Sequence, residues 1–145
     1  MKNKLIIGLI LLVSVGSLAL CNFIREVNSY TKIIELNWGI RLSGSYKEIY
    51  SIDSGASFHG DGDRYHIFQH KPKGDISNEL DWKSNENKYI EQNIIQILER
   101  LNVPDEYLPS FKYKYKYYFR EENSSMIYIL LNDDEGLIYV IEDFQ

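Results

Sequence analysis

The feature that most constrains this chain is a continuous apolar run near its N-terminus. The run extends from Leu5 to Ile24, reads LIIGLILLVSVGSLALCNFI and contains no charged residue. A helix of about 20 residues rises about 30 Å, which matches the hydrocarbon core of a bilayer. Lys2 and Lys4 precede the run, and this charge predicts that the N-terminus stays in the cytoplasm. We therefore expect a signal or anchor segment over residues 1–24 and an extracytoplasmic domain over residues 25–145.

The end of the apolar run contains a candidate lipidation site. Leu18-Ala19-Leu20-Cys21 follows the order of a bacterial lipoprotein signal, although the residue before the cysteine is normally smaller than Leu20. The segment Lys2–Cys21 resembles the N-terminal signals of small lipoproteins and membrane-anchored proteins of Gram-positive bacteria. This resemblance implies attachment to the outer face of the cell membrane through a lipid on Cys21, and it implies nothing about activity.

Two other interpretations of the N-terminus stay open. Residues 5–24 also suit an uncleaved single-pass anchor. Ser17-Leu18-Ala19 suits a small-x-small cleavage site, which would release a secreted product. All three interpretations place the domain outside the cytoplasm.

Cysteine content and charge exclude several classes of function. Cys21 is the only cysteine, so the chain forms no intramolecular disulfide and no cysteine-based metal or redox site. Two of the 16 basic residues, Lys2 and Lys4, precede the apolar run, which leaves 14 basic against 21 acidic residues. Such an acidic domain disfavours nucleic acid as a partner.

The patterns after residue 25 predict an α+β fold. Behind the N-terminal membrane-anchor helix we expect an antiparallel β-hairpin, one amphipathic helix and a three-stranded antiparallel β-meander. A short helix over 25–36 is also predicted, with a strand as its alternative. The predicted strands are 46–52, 64–70, 112–119, 126–131 and 137–142.

The clearest predicted element is the helix Ser84–Asn102. Its apolar residues recur with helical spacing at Ile90, Ile94, Ile97, Leu98 and Leu101. Ser84 or Asn85 suits the N-cap, and Asn102 before Pro104 suits the C-terminal stop. We expect this stripe to pack on the sheet.

Tyrosines and lysines alternate in the first strand of the predicted meander. Tyr113, Tyr115 and Tyr117 share one face, which we expect to be the core face against the helix. An exposed platform for a sugar or peptide is the alternative. The other face carries lysines that either protect an edge strand or form a basic patch for an acidic partner; they are Lys112, Lys114 and Lys116.

The long connection 53–63 and the start of the next strand form the candidate contact loop. The stretch SFHGDGDRYH concentrates two histidines, two aspartates and two glycines. Loops of this length in small domains are usually functional or mobile. We predict that it contacts a partner through Phe58, His59, Asp61, Asp63, Arg64 and His66.

The same stretch offers alternative metal ligands. Zinc would take imidazole and carboxylate groups from His59, Asp61, Asp63 and His66. Calcium would take oxygens from Asp53, Asp61 and Asp63, although the distal glutamate of a calcium loop is missing. His66 and His70 lie four residues apart on a predicted strand, about 13 Å, which is too far to share one ion. A solvated turn is the simpler interpretation.

No sequence motif supports catalysis. Nucleophile-elbow, phosphate-loop, zinc-protease and dinucleotide-binding patterns are all absent from the chain. We expect no cofactor, and the absence of these motifs favours a protein without enzymatic activity. The expected function is non-catalytic binding of a protein or envelope component, in an immunity, exclusion, inhibitor or accessory role. The alternative is a metal-binding protein or metal-dependent hydrolase that uses the His59–His70 region.

Overall fold

The computed structural model describes residues 13–18, 29–42, 46–55, 61–70, 80–112 and 114–145. The fold is α+β, with a five-stranded antiparallel sheet and few helices, which confirms the predicted class. The chain divides into two compact units, Met1–Leu42 and Ser43–Gln145. The predicted domain boundary after residue 24 lies outside the described residues.

The first unit contains helical residues 13–18 and helix α1, Tyr30–Trp38. Ile34 and Trp38, four residues apart on one helix face, are buried. Gly39 ends α1 with a φ of 63°, and its N–H donates to the carbonyl oxygen of Glu35 at 2.9 Å. The helix predicted over 25–36 is therefore present but lies further along the chain.

Most of the predicted anchor, 5–24, and its lipidation residue Cys21 lie outside the described residues. Residues 13–18 are helical, and their apolar side chains Val13, Val15 and Leu18 are exposed. In the described parts of the chain, no helix combines the length and the apolar character needed to cross a membrane.

The second unit is built on the sheet. Its strands are β1 Tyr46–Asp53, β2 Gly62–His70, β3 Lys116–Glu122, β4 Ser125–Asn132 and β5 Leu137–Phe144. Their order in the sheet is β1-β2-β5-β4-β3. The predicted hairpin β1–β2 and the predicted meander β3–β4–β5 are both present, and β2 pairs with β5 to join them.

The predicted start of β3 at residue 112 is wrong. The strand begins at Lys116, which pairs with Leu131, one residue before β4 ends at Asn132. Residues preceding Lys116 have almost no length of β4 left to pair with, and Phe111 and Lys112 form a turn. The predicted position of β3 at the edge of the sheet is confirmed, although Lys112 and Lys114 precede the strand.

Helix α2, Lys88–Arg100, begins later than predicted. Its N-cap is Asn87, not Ser84 or Asn85, because the Asn87 side chain accepts a hydrogen bond from the N–H of Ile90 at 3.2 Å. The predicted C-terminal stop is confirmed, since Asn102 has a φ of 53°. A 3₁₀ turn, Asp105–Tyr107, follows.

The core lies between α2 and one face of the sheet. The predicted stripe of α2 is buried and packs with sheet residues such as Tyr65, Tyr117 and Tyr139. Tyr115 packs against the same cluster, so the core interpretation of the tyrosines is confirmed for Tyr115 and Tyr117, while Tyr113 lies outside the described residues. The strand β4, which lies between β5 and β3 in the sheet, is buried on both faces.

Candidate functional site

The predicted contact residues are distributed over both faces of β2. Asp63 lies on the face that packs against α2, whereas Arg64 and His66 lie on the opposite face, because side chains alternate along a strand. Asp61 is exposed just before the strand. Phe58 and His59 lie outside the described residues.

Asp63 is held by an arginine that the sequence did not reveal as its partner. The Arg100 Nε donates to Asp63 Oδ2 at 2.7 Å, and Arg100 Nη2 donates to Asp63 Oδ1 at 2.7 Å. Asp143 lies directly opposite Asp63 in the β2–β5 pair and accepts from Arg100 Nη2 at 3.1 Å. The hydrogen bonds to Asp63 raise the pKa of the guanidinium, against the opposing effect of burial. Arg100 therefore offsets the repulsion between two facing carboxylates.

The backbone of Asp63 closes the base of the loop that follows β1. Ser54 Oγ accepts from the N–H of Asp63 at 3.1 Å, and the Ser54 N–H donates to the Asp63 carbonyl at 2.9 Å. Gly62 has a φ of 136°, and a Cβ at this position would collide with Ser54 Oγ. The loop base is thus fixed by local geometry. The tip of the loop, residues 56–60, lies outside the described residues.

His66 is buried against Glu48 on the other face of the sheet. Its Nδ1 lies 2.5 Å from Glu48 Oε1, and its ring stacks on Phe68. Burial lowers the pKa of His66, and the hydrogen bond that its ring donates to Glu48 opposes this effect. Because Glu48 accepts, the neutral imidazole carries its proton on Nδ1.

Arg64 makes a separate contact at the end of the sheet. Its guanidinium carbon lies 4.5 Å from the centre of the Phe144 ring, a cation–π geometry. Arg64 therefore packs against the C-terminal end of β5 instead of extending towards Asp63. Asp63, Arg64 and His66 make three different structural contacts and do not form one surface.

The alternative metal ligands that the structure describes are not brought together. Asp63 and His66 point to opposite faces of β2, so they cannot hold the same ion. Asp53 pairs with Arg64 across the hairpin and so lies on the face opposite Asp63. Within the ranges that the structure describes, no group of three or more His, Cys, Asp or Glu residues is placed to bind a metal.

An open apolar groove lies beside α2, where the sequence did not indicate a site. Its volume is about 420 Å³, and it runs between the C-terminal half of α2 and the segment 103–111. Leu98 is buried at its floor, while Ile95 and Leu108 are each 40% exposed at its rim. Ile95 could have indicated this groove from the sequence, because it is a large apolar residue outside the buried stripe of α2.

The wall of this groove opposite α2, which is formed by the segment 103–111, is held in place by two tyrosines of the sheet. The Tyr65 hydroxyl donates to the Tyr107 carbonyl at 2.6 Å, and the Tyr107 ring stacks on Tyr50 with centroids 3.9 Å apart. Burial raises the pKa of Tyr65, so its hydroxyl stays a donor. The 3₁₀ turn is therefore anchored to β1 and β2.

A second cavity continues along the same helix. It has a volume of about 400 Å³ and includes Ile90 and Glu91 of α2. Phe111 lines both cavities, so they are neighbours that share this residue. The second cavity has a mixed lining, with Glu86 and Glu91 from the helix side and Lys112 and Lys114 from the loop side.

No protein-family model, curated protein or solved structure matches this chain. The chemistry of the site therefore has to be inferred from its geometry. Asp63 and His66, two of the predicted contact residues, are held by Arg100 and Glu48. The groove beside α2 is instead open to a ligand.

Proposed function

We propose that this chain is a small extracytoplasmic protein that is tethered to the cell membrane and binds a protein or envelope component without catalysing a reaction. An immunity, exclusion, inhibitor or accessory role fits this description. The tether is the apolar run Leu5–Ile24, as a lipoprotein signal ending at Cys21 or as an uncleaved anchor. A secreted product after cleavage is the remaining alternative.

The observation that carries the binding proposal is the open groove beside α2. Its floor reaches the core at Leu98, and Ile95 and Leu108 expose apolar surface at its rim, beside the carboxylates of Glu99 and Asp105. Large apolar groups at the mouth of a preformed cleft are typical of recognition sites. The candidate loop after β1 stays a second predicted contact surface through Phe58, His59 and Asp61.

The burial of Asp63 and His66 favours a binding function over hydrolysis. A general acid or base has to reach its substrate with a suitable pKa. Asp63 is buried under Arg100, and His66 is buried against Glu48. Both side chains are therefore engaged in contacts within the fold, and neither is presented to a substrate.

Location is tested by fractionating cells of a Gram-positive host that express the full chain, together with a Cys21→Ala variant. We expect the wild-type chain in the membrane fraction and its domain cut by protease added to intact protoplasts. Loss of membrane retention and of precursor processing in the variant supports lipidation over the uncleaved anchor. A wild-type domain protected from external protease contradicts the proposal.

Binding is tested by chemical crosslinking of the full chain in its own membrane. We expect adducts with one or a few specific proteins or envelope polymers. The matched control is a chain of the same anchor fused to an unrelated domain. Identical adducts for both chains, or none for either, contradict a binding role.

A further inference from the structure

We infer that the groove beside α2 binds an extended segment of a partner protein, in which an apolar side chain stands next to a lysine or arginine. This inference rests on the proposed binding function and names the class of ligand. Three properties of the groove indicate the kind of ligand: its apolar floor and rim, the charge of its lining and its length along α2.

The apolar lining of the groove suits one buried apolar side chain of the ligand, which we call the anchor. The groove is lined by Leu98 at its floor and by Ile95, Leu108 and Phe111 around it. Ile95 and Leu108 expose 40% of their surface, and an inserted Leu or Phe side chain would cover them. Burying one such side chain stabilises a complex by about 1.5–3 kcal/mol, so a single anchor contributes about tenfold or more to the affinity.

The charge of the groove lining indicates which residue of the ligand lies next to the anchor. Among the residues that the structure describes, the two charged ones that line the groove are both carboxylates, Glu99 of α2 and Asp105 of the 3₁₀ turn. They come from opposite walls of the groove. Arg100, the neighbouring cation, is turned away from them towards Asp63 and Asp143. A basic residue of the ligand would therefore find complementary charge on both sides of the anchor, whereas an acidic one would be repelled.

Length separates a polypeptide from a compact small molecule. Phe111 lines both the groove and the second cavity, and the α2 residues that line them extend from Ile90 to Glu99. This part of the helix rises about 14 Å, which is the length of about four residues of extended chain. An elongated ligand uses both cavities, while a compact molecule fills only one.

The test measures binding of labelled peptides to the full chain in phosphatidylcholine nanodiscs, with empty nanodiscs as the blank. The probe GSKLKFKSG has apolar anchors between lysines. GSELEFESG reverses its charge, and GSKSKSKSG removes its anchors. We expect GSKLKFKSG to bind at least about tenfold more tightly than either control, and more weakly as salt rises.

Four variants locate the binding. Ile95→Ser and Glu99→Lys change the groove and should each weaken binding of GSKLKFKSG, Ile95→Ser by about tenfold. Tyr89→Ser changes an exposed residue of the same helix outside the groove, and Glu121→Lys reverses an exposed charge on β3. We expect both controls to bind as the wild type does.

Equal binding of all three peptides would overturn the inference. So would binding of GSKLKFKSG that is unchanged in Ile95→Ser and Glu99→Lys, provided that both variants keep the wild-type circular dichroism spectrum. Absence of binding by GSKLKFKSG also overturns it. If crosslinking in membranes still recovers a specific partner in that case, the binding function stands and only the assigned ligand class fails.

Discussion

Arg100 at the end of α2 binds Asp63 of β2 through two parallel hydrogen bonds of 2.7 Å each. The same guanidinium reaches Asp143 of β5, which lies opposite Asp63 in the sheet. One side chain thus joins the helix to two neighbouring strands. The contact with Arg100 explains why Asp63 is buried, although it comes from a stretch whose residue types suit a metal site.

Arg100→Leu should lower the stability of the domain. The substitution removes charge-assisted hydrogen bonds and leaves Asp63 and Asp143 facing each other. The guanidinium is half exposed, so solvent screening limits the loss, and we expect a decrease of about 2 kcal/mol in the free energy of unfolding. Urea denaturation of the full chain in detergent micelles measures it.

The matched control is Arg120→Leu, which breaks an exposed pair with Glu122 on a single strand. We expect this variant to lose less than about 1 kcal/mol. Adding Asp63→Asn to Arg100→Leu should restore part of the stability, because it removes the repulsion between carboxylates. Equal losses for Arg100→Leu and Arg120→Leu would show that Arg100 does not hold the sheet.

His66 should make the domain less stable in mild acid. Burial lowers its pKa in the folded state below the ordinary value of about 6.5, so the unfolded chain binds more protons. Stability therefore falls as the pH drops through about 6.5 and continues to fall until the folded-state pKa is passed. Glu48 and Glu142 reduce this effect, and Arg64 increases it.

His66→Gln tests this dependence. Glutamine keeps a donor for Glu48 but takes up no proton. The free energy of unfolding should therefore change less between about pH 7.5 and pH 5 in the variant than in the wild type. An identical pH dependence in both proteins would mean that His66 does not cause it.

Two adjacent isoleucines of α2 should differ sharply in their effect on stability. Ile94 is fully buried in the core, whereas Ile95 is 40% exposed at the groove. Ile94→Ala should cost about 2–5 kcal/mol, and Ile95→Ala less than about 1 kcal/mol. Thermal melting compares the two variants. Similar melting temperatures would contradict the orientation of α2 on the sheet.

Chelation should leave the melting temperature of the full chain unchanged. The arrangement of Asp63 and His66 on opposite faces of β2 disfavours a shared ion. The measurement is a melting scan with and without EDTA, together with metal analysis of the purified chain. A lower melting temperature with EDTA that zinc restores, and that His59→Ala abolishes, would favour the metal-binding alternative.

Elements with a strong local pattern could be predicted from the sequence. The spacing of Ile90, Ile94, Ile97 and Leu98 defines one apolar helix face whatever the rest of the chain does, and this face is buried as predicted. The alternation of Tyr65 and Ile67 with His66 and Phe68 likewise assigns the two faces of β2. Strand positions followed from these local rules to within a few residues for most strands.

Features that depend on distant parts of the chain could not be predicted. Pairing of β2 with β5 joins segments far apart in sequence and leaves no local pattern. Asp63 and Arg100 are 37 residues apart, and their contact depends on this pairing and on the docking of α2. The groove arises only when the segment 103–111 folds back beside Ile95, so its residues look ordinary in the sequence.

Site-directed photocrosslinking in living cells tests the central claim most directly. A photoreactive phenylalanine derivative replaces Leu108 at the rim of the groove or, as the control, Tyr89 outside it on the same helix. A binding role through the groove predicts an adduct with a specific membrane or envelope protein from position 108 and none from position 89. No adduct from position 108, or the same adducts from both positions, would contradict it.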